Sequence, residues 1–168
     1  TSLSAVIPSW ASEGGNAKLM EHLKDPATRE RLKKEMVSGS PGWWNIVEAS
    51  GGWDNIVVAS TANEANKRFE NKSIAQIAKE WKKDPADAAF DLVLDSNNRT
   101  GALYYMMSEP DVETAVKFPW VSIGSDASAS LKLVDPATVG NGHPRSYGNF
   151  PRLIAEFVRK RHVLTLPD

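Results

Sequence analysis

A chain of 168 residues, 41% hydrophobic and 24% charged, is long enough for a buried core and too apolar to be disordered. Its 20 basic and 21 acidic side chains leave a net charge of -1, which offers no electrostatic footing for nucleic acid or an anionic membrane. Cysteine is absent, so disulfides, thiolate metal ligands and cysteine nucleophiles are excluded, and the three histidines, His22, His143 and His162, form no HxH or HExxH pair.

Along the chain, the first residues Thr1 to Ile7 lack a basic n-region and a cleavage signature, so a cytoplasmic protein is expected. No apolar run approaches the roughly 18 to 20 residues needed to span a bilayer. Asp25-Pro26 opens a charged helix to about Val37, with Leu32 and Met36 on one face. Ile74, Ile77, Ala78 and Trp81 follow the i, i+3, i+4, i+7 rule and predict an amphipathic helix over 71–83. Asp84-Pro85 repeats the cap-then-proline device and starts a buried helix through Ala88, Ala89, Leu92 and Val93. Ser108-Glu109-Pro110-Asp111 caps a short helix expected to bury Val112, Ala115 and Val116. A last helix starts near Asn149, carries Leu153, Ile154, Phe157 and Val158, and closes on Arg159, Lys160 and Arg161. Thr165-Leu166-Pro167-Asp168 reads as the start of yet another helix. With no initiator methionine at the other end, the expectation is an excerpt from a longer polypeptide, cut at both ends.

Strand signals are fewer. The apolar, β-branched run 55–60 fits a strand buried on both faces, 120–126 is a second, and 103–107 a short third. Strand and helix in alternation predict an α/β fold with a parallel sheet. The near-repeat of 44–50 in 54–60 is too short for a repeat architecture. The Gly-rich stretches mark loops, and none forms a phosphate-binding fingerprint.

Two places could carry chemistry. Ile123-Gly124-Ser125-Asp126 puts a carboxylate at the end of a predicted strand, where barrel enzymes hold catalytic groups. Such a carboxylate can take a proton from an attacking water and deliver it to a leaving amine; a turn or helix-cap aspartate is the competing reading. The run from Gly142 to Arg152 gathers His143, Arg145, Tyr147 and Arg152. Arginine forks suit carboxylates, while ion pairs within the protein explain them equally well. Tyr104-Tyr105-Met106-Met107 suits either an apolar side-chain pocket or core packing. His22 and His162 read as surface residues near helix ends.

The segments 53–59, 72–78, 84–91, 107–112, Ile123-Gly124-Ser125-Asp126 and His143-Pro144-Arg145-Ser146-Tyr147-Gly148-Asn149-Phe150-Pro151-Arg152, with the opening 1–11, resemble the N-acyl-D-amino-acid deacylases, or D-aminoacylases, of the metal-dependent amidohydrolase superfamily. They run in the family's order over nearly the whole chain. The resemblance implies an α/β fold, the C-terminal part of a (β/α)8 barrel whose final strand ends in Asp126, with a lid-like helical insertion at about 25–53. It implies hydrolysis of the amide of an N-acyl-D-amino acid, with Asp126 facing zinc as general base and itself a metal ligand. It makes Arg145, His143 and Tyr147 candidates for substrate binding or loop support, and Met106 and Met107 candidates for the side-chain pocket.

The family's histidine and cysteine zinc ligands are missing from these residues, and a zinc site needs about four ligands, or three with an open position. A whole barrel takes about 250 residues, so an incomplete one is expected here, as a single partial domain over 1–168. The parent is then a zinc-dependent hydrolase acting on linear amides, while this chain alone is inactive and probes for zinc in vain. Its partners are a small-molecule N-acyl-D-amino acid and the rest of the same barrel, neither nucleic acid nor membrane, with self-association through exposed strand edges. Two other readings stay open: a fragment of a D-hydantoinase-like cyclic amidohydrolase, and a mostly helical, non-catalytic interaction module.

Overall fold

A computed structural model describes residues 1–127 and 145–166, with the backbone only at 145–147. Contacts divide the chain into two compact units, 1–106 and 107–168.

In the first unit, helix starts follow the side chains that cap them. Helix α1 runs Asn16–Lys24 and α2 runs Pro26–Ser38. The Thr28 amide donates to the Asp25 carboxylate at 2.8 Å, and Pro26 occupies the first turn, where its missing N–H costs nothing. A one-turn helix α3, Ile46–Ala49, is capped by Asn45, which accepts from the Val47 and Glu48 amides. Helix α4 is Ile74–Trp81 and begins three residues later than the predicted Asn71 start. Asn71 takes a left-handed φ of 68°, and Ser73 and Gln76 instead form a reciprocal capping box. Helix α5 is Pro85–Asp95, with Asp84 accepting from the Ala86 and Asp87 amides. The apolar stripes of these helices converge, so that Leu19, Leu23, Leu32, Ile77, Phe90 and Leu92 are fully or almost fully buried, together with Leu3 and Val6 from the opening turn.

Strands β1, Ile56–Thr61, and β2, Thr100–Tyr104, pair antiparallel, with Ile56 opposite Tyr104 and Thr61 opposite Thr100. The predicted parallel sheet is therefore corrected. The connection contains two helices, joined by a tight turn at Lys82, and this out-and-back pair returns the chain to the end of the sheet it left. β1 is also not buried on both faces: Ile56, Val58 and Thr61 are inside while Val57 and Ala59 are half-buried. The third predicted strand lies earlier than 103–107, because the chain leaves the ladder after Tyr104. Ser2 pairs with Gly101 in an isolated bridge, and a Cβ on Gly101 would meet Ser60 Oγ at 2.9 Å.

Asn45–Ser50 and Asn55–Ser60 differ only at Glu48 against Val58, yet the first is a capped helical turn and the second is strand β1. The near-repeat is one of letters and not of structure.

The second unit holds α6, Glu109–Val116, and α7, Arg145–Arg152, which continues as a π-helical stretch, Leu153–Lys160. The widening follows directly on Pro151, which has no N–H to give the ordinary ladder. The last helix already includes Arg145, upstream of the predicted start near Asn149. Val112 and Val116 are half-buried and Ala115 is exposed, so α6 buries less than predicted. The predicted strand 120–126 does not form: Trp120 is 77% exposed and no strand is present among the described residues of this unit. A strand needs a neighbour to take its N–H and C=O groups, and none is offered among the described residues. Among the described residues, no helix is long and apolar enough to cross a membrane.

Candidate functional site

The residues that resemblance points to lie mainly in the second unit. Val121 to Ala127 is irregular backbone with Asp126 at its end, exposed and held at a left-handed φ of 50°. Ser125 Oγ accepts the Ala127 amide at 3.3 Å and closes a small turn over Asp126. Asn149 Nδ2 donates to the Gly124 carbonyl at 3.0 Å, so α7 and the Asp126 segment are brought together. Beside that contact lies a cleft of about 180 Å³, walled by Val112, Val116, Ile123, Leu153 and Phe157.

Charges brace this arrangement from behind. Glu109 receives Arg152 at 3.3 Å and Arg161 at 2.8 Å, and Arg161 also reaches Glu113 at 2.8 Å. Arg152 therefore takes part in an ion pair within the protein. Arg145 and Tyr147 occupy the first turn of α7, and His143 lies outside the described residues. Met106 is 39% exposed at the end of the first unit and Met107 is 82% exposed at the start of the second. Asn149 sits inside the His-Pro-Arg motif but its residue type alone marks no chemistry; only its bond to Gly124 does.

The first unit contributes packing and a second cleft. Tyr104 is core material: its hydroxyl donates to the Ser2 carbonyl at 2.8 Å, and burial pushes the phenol pKa up. His22 bonds the Ala11 carbonyl at 2.9 Å through Nδ1 and meets the Trp10 ring edge-on. A cleft of about 410 Å³ lies where α2, α3 and the start of α5 approach, lined by Met36, Val37, Asn45, Trp53 and Asp84 beside Lys33. Glu30 and Asp87 engage the Lys33 ammonium and hold its pKa above the ordinary value.

No protein-family model matches the chain. Over 94 residues it is 33% identical to an N-acyl-D-glutamate deacylase of Alcaligenes xylosoxydans xylosoxydans, covering 56% of this chain and 17% of that one. A D-aminoacylase of the same organism is 37% identical over 59 residues, 35% of this chain and 10% of the other. The crystal structure of N-acyl-D-glutamate deacylase from Bordetella bronchiseptica, complexed with zinc and a phosphonate inhibitor, superposes with a TM-score of 0.53 and 24% identity. That superposition takes in 83% of this chain and 29% of the crystallised one.

Over these stretches the chain is similar to N-acyl-D-amino-acid deacylases. It spans 17% and 10% of the length of the two curated deacylases, and its likeness to the crystallised deacylase is one of fold. A coatomer subunit delta-1 of Oryza sativa subsp. japonica is also 32% identical, over 51% of this chain and 17% of its own length. The fold likeness is to the deacylase. Zinc does not fit the deacylase-like residues present: among the described residues, no group of three or more His, Cys, Asp or Glu side chains could hold a metal.

Proposed function

We propose that this chain is part of a zinc-dependent amidohydrolase that cuts the amide of N-acyl-D-amino acids, and that it supplies the late part of an incomplete barrel with a helical insertion at about 25–53. The observation that carries this reading is the agreement of two kinds of likeness. Sequence identity to two deacylases and a fold likeness over 83% of the chain point to one enzyme class. The exposed side chains of the second unit support incompleteness. Met107, Phe118, Trp120, Val121, Phe150 and Leu166 are large apolar side chains left exposed, the surface that further parts of a barrel would cover.

In this reading Asp126 takes a proton from the attacking water and returns it to the leaving nitrogen, giving a carboxylic acid and a free D-amino acid. Arg145, His143 and Tyr147 stand by the substrate, and Met106 and Met107 line the pocket for its side chain. The metal would supply Lewis-acid polarisation when bound; Asp126 is the one candidate ligand in this chain, and the others would come from elsewhere in the longer polypeptide.

The test is Asp126→Asn in the full-length, zinc-loaded protein, assayed on N-acetyl-D-glutamate and on an N-acetyl-D-amino acid with an apolar side chain. Asparagine tolerates the left-handed backbone as aspartate does, so the fold is kept while the base is lost. Hydrolysis is expected to fall by about 100-fold or more. Full activity in the variant makes Asp126 a turn residue and ends its catalytic assignment.

A further inference from the structure

A carboxylate on irregular backbone is aimed by contacts other than those of a β-ladder. Gly124 lies two residues before Asp126, and among the described residues no heavy atom outside its chain neighbours would come within 4 Å of a Cβ there. Glycine has the widest backbone freedom, which makes it the loosest point of the segment. Its carbonyl is the group that Asn149 Nδ2 holds at 3.0 Å. Asp126 then adopts φ 50°, a region that few side chains enter and that aspartate enters more readily than most. The helix behind Asn149 is itself tied to α6 through Arg152 and Glu109, so the amide reaches out from a fixed base.

We propose that Asn149 is a positioning residue: its side-chain amide, projecting from α7, fixes the Gly124 carbonyl and thereby sets where Asp126 presents its carboxylate. The assignment rests on the reading of Asp126 as general base. A side-chain amide suits the task because it donates to a backbone carbonyl without adding charge beside the reacting carboxylate. Loss of the bond frees rotation at Gly124, and displacement of a catalytic group by about 1 Å can cost up to about 100-fold in rate.

Two measurements test it, with Asn149→Ala to remove the donor and Asn149→Gln to keep an amide on a longer stem. In the 168-residue chain, amide order parameters at Ser125 and Asp126 are expected to drop in N149A from about 0.85 to below about 0.6, with N149Q between. In the full-length, zinc-loaded protein, N149A is expected to lower kcat about 10- to 100-fold on an N-acetyl-D-amino acid, with KM held within about twofold and N149Q recovering most of the loss. Unchanged order parameters in N149A overturn the clamp whatever the activity. Lost order with wild-type kcat and KM in an active enzyme overturns its positioning role and leaves the deacylase reading standing. A wild-type protein that hydrolyses none of these amides removes the deacylase reading, and the positioning role falls with it.

Discussion

Gly101 shows how one missing side chain sets the geometry of the sheet. The Ser2 backbone bridges to it, and Ser60 Oγ stands 2.9 Å from where a Cβ would be. An alanine there must push Ser60 away at the irregular point of the ladder between Val58 and Ser60. Because Ser60 is exposed and its hydroxyl can turn aside, Gly101→Ala is expected to cost no more than about 1 kcal/mol in urea unfolding, and adding Ser60→Ala should remove that cost. A glycine in a run of strand-forming residues announces a close approach, but only the register shows which atom approaches. Asp126 is the opposite case. Its residue type and its place in the motif marked it as a candidate, whereas its left-handed backbone and the Asn149 bond two residues away were invisible to composition and periodicity.

At the scale of elements, α2 and α5 are joined across their polar flanks. Arg29 reaches Asp87 at 3.3 Å and Asp91 at 2.5 Å, Lys33 reaches Asp87 at 3.0 Å, and Lys83 reaches Asp91 at 2.6 Å. Burial pushes the Asp91 carboxyl up, but the Lys83 ammonium and the Arg29 guanidinium outweigh it, and its pKa lies below the ordinary value. Glu35 is held low as well, chiefly by the Trp10 indole, whose Nε1 donates to it at 2.5 Å. A carboxyl with a lowered folded-state pKa stabilises the fold above its ordinary value of about 4 and loses that contribution as pH falls through the folded-state value. Urea midpoints should therefore be flat from pH 7 down to about 5 and decline below it, and the decline should be shallower in Asp91→Asn. A midpoint independent of pH down to the acid limit would sink this account. Three of the helices were legible because Asp25, Asp84 and Ser108 cap them locally, and α4 because Ile74, Ile77, Ala78 and Trp81 recur at helical spacing. Sheet direction was not, because it depends on where the two-helix connection returns the chain.

For the whole molecule, the two units differ in how far they satisfy themselves. The first buries a continuous set of apolar side chains around β1, whereas Phe157 is the buried side chain of the last helix in the second. The failed strand at 120–126 is the physical trace of that difference: its pattern was readable, but a strand is a property of a pair. The same shortage applies to metal ligands. Isothermal titration of the 168-residue chain with zinc at pH 7 is expected to show no tight, stoichiometric binding. Stoichiometric binding would mean that this chain carries a complete ligand set, and would sink the proposal that the ligands lie elsewhere in a longer polypeptide.

The paired strings at Asn45–Ser50 and Asn55–Ser60 also bear on the order in which the chain commits itself during synthesis. The helical turn at Ile46–Ala49 is capped by its own Asn45 and can close as soon as it emerges from the ribosome. Strand β1 carries nearly the same letters, but beyond its bridge from Val57 to Ser73 its ladder waits for Thr100–Tyr104 to follow it out. At about 5 to 20 residues per second, that wait lasts on the order of seconds, long against the microseconds in which a hairpin or helical turn forms. During it, Asn55–Ser60 is free to sample the conformation its twin keeps. The strand is a decision postponed until the far end of the two-helix excursion has been made.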